Sequence, residues 1–358
     1  MAVNFDELLE FAGKNGASDI HFSPGKPPYV RANGKLHIAG KELLNEAMIQ
    51  EFLLKSLDKR HQTTLAEERQ VDFVMMTPNK TRMRGNAFFQ EKGLSVSLRI
   101  IPNKVFPYDS LGLPPFVKEK IMGLRQGFIL VVGPTGQGKT TTVTSIINER
   151  ANVNTEHVVT VEDPIEYLLN SDTGIIQQRE VGRDVLSFQD GIRAALREDP
   201  NMLMVGEMRD RETIEAALTM SETGHVVFAT LHTNNGPQTI TRIIDVFPAE
   251  QQNQVRSQLA DSLTMIISQR LVPSTDGKQV LAYEILTSNY AVQNYIRTNK
   301  IFQIPNVLQT DSSGEMVQFE QCLTSLVASG KITLKTAYDF CADKDLLKSM
   351  LSANGLEG

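Results

Sequence analysis

Residues Gly133 to Thr140, "GPTGQGKT", follow the spacing G-x-x-x-x-G-K-[ST] without a mismatch. Each residue type has a task in holding phosphate. The glycines let the backbone curl so that successive N–H groups face one anion, and a helix starting at Lys139 would add the partial positive charge of its N-terminus. Lys139 can reach the β- and γ-phosphates of a nucleotide, and the Thr140 hydroxyl is a hard oxygen donor suited to Mg²⁺. Pro134, Thr135, Gly136, Gln137, Gly138 and Thr141 complete the candidate nucleotide-binding set.

Such a loop needs carboxylates beside it, to hold magnesium and to orient or partly deprotonate an attacking water. "MLMVGE" offers Glu207 as the second magnesium partner, with Gly206 where many phosphate-loop proteins carry aspartate. "VEDPIE" offers Glu162, Asp163 and Glu166, and "FATLHT" places His232 just after another apolar run. A neutral imidazole at that position could read the γ-phosphate or couple hydrolysis to motion. The C-terminal ends of strands line the ligand crevice of an open parallel sheet, so these residues are expected to converge at one edge. Phosphoryl transfer also calls for extra positive charge, from Arg82, Arg84 or Arg99 early in the chain or from Arg193, Arg197, Arg209 or Arg211 later on. Composition does not choose among them.

The elements that must position this chemistry can be read from periodicity. From Phe116 onward, apolar strand-like runs such as "GFILVVG", "HVVTVED", "NMLMVGE" and "VVFATLHT" alternate with helical stretches. That alternation predicts a mostly parallel sheet covered on both faces. The last part of the chain reads as helical, with "PAEQQNQVRSQLADSLTMIISQRLV" the longest helix. Residues 1–100 read as a smaller α+β domain: an amphipathic helix in "NFDELLEFAGKNGASD", then short strands, two of them around an Asn33-Gly34 hairpin signal. Residues 101–115 hold four prolines and read as the interdomain linker, leaving 116–358 for the nucleotide-binding domain and its C-terminal helices.

Composition narrows the classes. A chain of 358 residues, 41% hydrophobic and 22% charged, is globular and long enough for two or three domains. The formal net charge of −6 argues against a surface built to grip nucleic acid. Cys322 and Cys341 lie far from any metal-ligand spacing, so they are expected to be buried small hydrophobes in a reducing compartment, and no zinc is expected. The N-terminus lacks an apolar core of signal-peptide type, and the apolar runs fall short of the about 18 residues that a membrane span needs. A cytoplasmic protein is expected.

In order and spacing, "GPTGQGKTTT", "VEDPIEY", "QREVG", "GIRAALREDPNMLMVGEMRD", "ALTMSETGHVVFATLHT" and "RIIDVFP" resemble the secretion-ATPase superfamily, and more closely its PilT-type retraction ATPases of type IV pili. The likeness spans almost the whole chain, including "ASDIHF" and "SQRLV". It implies a RecA-like P-loop ATPase core preceded by a PAS-like domain, ATP or ADP and Mg²⁺ as cofactors, and a homohexamer. By the same resemblance Gly133 to Thr140 is the Walker A loop, Glu166 the catalytic glutamate of the Asp box, Glu207 the glutamate of an atypical Walker B motif and His232 the His box. Arg84 and Arg99 correspond to N-terminal-domain arginines that contact the nucleotide from across the domain or subunit gap. "GIRAALRE" corresponds to a segment needed for retraction, with Gly191 where the family has alanine and Asn201 where it has aspartate.

The expected work is pilus retraction: pilin disassembly and twitching motility, driven from the cytoplasmic face of the inner membrane against a platform protein of the pilus machinery. Two other readings stay open: an accessory retraction ATPase with weak turnover of its own, and a DNA translocase. Assembly and type II secretion ATPases usually carry a tetracysteine zinc motif, which two distant cysteines cannot supply.

Overall fold

The computed structural model describes residues 4–32, 35–101 and 105–356. The chain divides into two compact units, Met1–Lys104 and Val105–Gly358.

The first unit contains helix α1 (Phe5–Lys14), strands β1 (Ala17–Phe22), β2 (Tyr29–Ala32) and β3 (Lys35–Ile38), helices α2 (Glu46–Ser56) and α3 (Lys59–Glu68), and strands β4 (Gln70–Met76), β5 (Arg82–Gln90) and β6 (Gly93–Ile101). Each helix starts on a side chain that accepts a backbone N–H two or three residues into the first turn: Asn4, Asn45 and Asp58. The six strands run antiparallel in the order β3-β2-β1-β6-β5-β4. The helices cover the sheet through a core that includes Leu9, Phe22, Ile49, Phe52 and Leu98. The Asn33-Gly34 turn lies outside the described residues, although β2 and β3 pair as the hairpin signal requires.

The second unit begins with a short 3₁₀ turn at Tyr108–Ser110 and helix α4 (Pro115–Met122). Tyr108, Val117 and Ile121 are buried in its core. From Val105 on, the proline-rich stretch expected as a linker therefore packs as part of this unit.

There follow β7 (Gly127–Val132), α5 (Lys139–Val153), β8 (His157–Glu162), β9 (Ile175–Glu180), α6 (Phe188–Ala195), β10 (Met202–Val205), α7 (Arg211–Glu222), β11 (Val226–Leu231), α8 (Gly236–Asp245) and α9 (Ala249–Ser262). After them come β12 (Leu263–Pro273), β13 (Gln279–Thr287), α10 (Tyr290–Arg297), α11 (Ile304–Thr310), α12 (Phe319–Ala328), α13 (Leu334–Phe340) and α14 (Lys344–Ala353). The sheet order is β13-β12-β7-β11-β10-β8-β9, parallel throughout except for β13. Alternate residues of β7 serve opposite faces. Phe128, Leu130 and Val132 join one core layer, and Ile129 and Val131 the other. That double burial is why the run reads as continuously apolar.

One expectation is corrected here. The long C-terminal helix stops at Ser262, and "LTMIISQRLVP" is strand β12, paired along β7 and β13. A short apolar run carries no decisive periodicity, and the neighbouring strand β7 offers a full row of backbone partners. Of the two cysteines, Cys322 is buried as expected, whereas Cys341 is only half-buried; both are free. Among the described residues no helix is long and apolar enough to cross a membrane.

Candidate nucleotide site

The loop after β7 has the shape that its sequence calls for. Gly133 adopts φ +152°, and a Cβ there would lie 2.4 Å from the Gln269 carbonyl oxygen on β12, so no other residue fits without moving that strand. Gly136 and Gly138 also have positive φ, and Gly138 caps α5 with no side chain over its first N–H groups. A helix start left open in this way is suited to an anion. The loop is braced from β12: Gln269 Nε2 donates to the Gln137 carbonyl at 2.7 Å, and Leu271 N–H donates to Gln137 Oε1 at 2.7 Å.

Lys139 is buried beneath the loop. Its ammonium donates to the Gly133 and Pro134 carbonyls at 2.9 and 3.1 Å and to His232 Nδ1 at 3.2 Å. An ammonium has only donors, so Nδ1 accepts and the ring proton sits on Nε2. Nε2 then donates to Glu207 Oε1 at 2.9 Å, and Glu207 Oε2 accepts from Arg209 at 2.7 Å. Thr135 Oγ1 lies 3.3 Å from the same Nδ1. Lys139, His232, Glu207 and Arg209 thus form one unbroken chain across the ends of β7, β11 and β10. Burial pushes the Lys139 ammonium below its usual range, partly offset by Glu207 and Glu166. Burial alone would raise the Glu207 carboxyl, but the hydrogen bond from Arg209 and the neighbouring positive charge hold it below the ordinary glutamate range.

Glu166 lies on the loop that follows β8. Its side chain is exposed, while its neighbours Ile165 and Tyr167 are buried. Gly206 has a local cause: a Cβ there would stand 3.2 Å from both Glu162 Cα and the Val161 carbonyl, so the usual aspartate would have to push the end of β8 aside. Thr141, expected as a nucleotide contact, has its hydroxyl 2.9 Å from the Tyr167 hydroxyl. Arg84 and Arg99 belong to the first unit, directly opposite each other on β5 and β6. Arg99 Nε donates to Asp19 at 3.0 Å, and Arg84 stands 3.9 Å from Asp72.

Of the arginines left open by composition, Arg209 is the one drawn to Glu207. Local spacing singles out none of Gln269, Gln178 and Tyr167, although each lies inside a segment that carries the family resemblance. Thr140 and Glu207 supply hard oxygens of the kind magnesium takes, and a magnesium held with a nucleotide draws its remaining ligands from phosphates and water. Among the described residues no cluster of three or more His, Cys, Asp or Glu stands ready to hold a metal by itself.

A phosphate loop on a central strand of a mainly parallel sheet, with acid and histidine at the neighbouring strand ends, defines a RecA-like P-loop nucleotide-binding domain. Residues 2–326 match the family model "Type II/IV secretion system protein". The chain belongs to that family and, within it, to the PilT-type ATPases. It is 40% identical over 335 residues to the type IV pilus retraction ATPase PilT of Pseudomonas aeruginosa, covering 94% of this chain and 97% of that protein. To a twitching motility protein of Neisseria gonorrhoeae it is 41% identical over 311 residues, 87% of this chain and 83% of that protein. A crystal structure of the pilus retraction motor PilT with bound ADP superposes with a TM-score of 0.91 at 42% identity, covering 97% of this chain and 99% of that one. The expected fold class and family resemblance are borne out.

Proposed function

We propose that this protein is a Mg²⁺-dependent ATPase that converts ATP hydrolysis into retraction of type IV pili. In this reading it works as a homohexamer at the cytoplasmic face of the inner membrane, against a platform protein of the pilus machinery. The observation that carries the reading is the Lys139–His232–Glu207 chain. It joins the residue that meets phosphate to a carboxylate suited to magnesium and to an imidazole between them. The names of the similar proteins support the direction of work.

Residues Gly133 to Thr141 would bind the phosphates through backbone N–H groups, with Lys139 leaving its loop carbonyls to take the β- and γ-oxygens. Thr140 and Glu207 would hold magnesium, which supplies charge neutralisation on the phosphates. Glu166 would orient the attacking water and accept its proton. His232, released from Lys139 when the γ-phosphate arrives, would report that occupancy to β11. Arg84 and Arg99, of this chain or of a neighbouring subunit, would supply further positive charge.

The test is ATP turnover by the purified chain. Turnover that needs magnesium and falls about 100-fold or more in Lys139→Ala supports the proposal. Turnover unaffected by Lys139→Ala overturns the site. Slow turnover by the wild-type chain alone would favour the accessory-ATPase reading, and stimulation by DNA the translocase reading.

A further inference from the structure

The loop that carries Glu166 is irregular from Asp163 to Leu169, so its backbone groups have no sheet ladder to satisfy them. Side chains of the edge strand β9 supply the partners instead. Parallel pairing sets Gln178 opposite Thr160 and Glu180 opposite Glu162, which brings Gln178 to the same face as Thr160 and Glu162. Gln178 Nε2 donates to Glu162 Oε1 at 3.0 Å and to the Tyr167 carbonyl at 2.9 Å, while its Oε1 accepts from Leu169 N–H at 2.8 Å. Glu180 Oε2 accepts from Ile165 N–H at 3.1 Å. One amide therefore touches the buried carboxylate before Glu166 and the backbone on the far side of it. The amide cannot turn over, because its oxygen would then face two acceptors. Glu162 is 2% exposed, its Oε1 also accepts from Thr160, and its Oε2 has no hydrogen-bond partner. Thr160 and Gln178 together hold that carboxylate, and only Gln178 also reaches the backbone beyond Glu166.

We infer that Gln178 is a positioning residue for ATP hydrolysis, holding the 162–169 segment so that Glu166 stands where the attacking water must be oriented. This rests on the reading of Glu166 given above. Gln178 makes no hydrogen bond to the phosphate loop, so its loss should slow the chemical step and spare nucleotide affinity.

The test uses the full chain with Gln178→Met, which keeps the volume and removes all three hydrogen bonds, and Gln178→Glu, which keeps the acceptor for Leu169 and removes the two donated bonds. Both are compared with Glu166→Gln. Expected are a kcat lowered about tenfold or more and an ADP Kd within about threefold of wild type. The double variant Glu166→Gln/Gln178→Met should be no slower than Glu166→Gln alone, because both changes act on one step. Wild-type kcat in either variant overturns the inference, as do losses that multiply in the double variant. Loss of ADP binding or of the folded state in both variants also overturns it, since Gln178 would then serve stability alone. If Glu166→Gln itself keeps wild-type turnover, the reading of Glu166 fails, whatever the Gln178 variants do.

Discussion

The Lys139 ammonium lies 3.2 Å from His232 Nδ1, so the residue that would meet nucleotide phosphates is held by an imidazole whose other nitrogen is bonded to Glu207. Three acceptors share this ammonium, two of them carbonyls of its own loop. A phosphate must displace at least one to be bound. His232→Ala removes one competitor and also the link to Glu207. ADP affinity should therefore hold or rise by a fewfold, while ATP turnover falls about 100-fold. Titration with a fluorescent ADP analogue alongside steady-state turnover reads both. Weaker ADP binding with normal turnover would contradict this account.

At Gly206 the aspartate that many phosphate-loop proteins place there should cost stability. Its Cβ would crowd Glu162 Cα and the Val161 carbonyl at 3.2 Å, and the buried strand end has little freedom to shift. Gly206→Asp is expected to cost about 1–3 kcal/mol. In a domain of this size each kcal/mol is worth about 2–4 °C in melting temperature. A melting curve equal to wild type would show that β8 and β10 are looser than the packing implies.

Burial raises the Glu162 carboxyl above the ordinary glutamate range, despite hydrogen bonds from Thr160 and Gln178 that favour its charge. A raised folded-state value means that this group's contribution is full below the unfolded value and is lost as pH rises through the folded one. Glu162→Gln mimics the neutral form. Relative to wild type it should be more stable at pH about 8 than at pH about 4. Chemical denaturation at the two pH values measures the difference, and an equal effect at both would contradict the assignment.

Arg150 is buried near the end of α5. Its guanidinium meets Glu156 at 2.6 and 2.9 Å and the Leu124 carbonyl at 2.6 Å, and it also bonds the Ile121 carbonyl. This ties the end of α4 to the end of α5 and to the turn before β8. Arg150→Met leaves a largely buried carboxylate and two carbonyls without their partner, and should destabilise the chain by about 3–5 kcal/mol. Denaturant unfolding tests it; a change below about 1 kcal/mol would mean that the network relaxes freely.

The places of the phosphate loop, Glu207, His232 and Glu166 could be read from the sequence because each follows a short apolar strand, and an open parallel sheet collects strand ends at one edge. The bonds that Gln178 and Gln269 make could not. Each acts across a strand pairing, Gln178 from β9 and Gln269 from β12, and strand register is a property of the fold that local spacing does not carry. The strand β12 was itself hidden in a run that could serve helix or strand, which concealed the brace on the phosphate loop. Arg209 was one candidate among several until the structure brought it to Glu207.

We propose that nucleotide hydrolysis at this site drives pilus retraction. It is tested most directly by expressing the chain in a piliated strain that lacks its own retraction ATPase and measuring twitching motility. The account predicts that the wild-type chain restores twitching and lowers surface piliation, while Lys139→Ala, expressed to the same level, does neither. Restoration by Lys139→Ala, or no restoration by a wild-type chain that hydrolyses ATP in vitro, would contradict it.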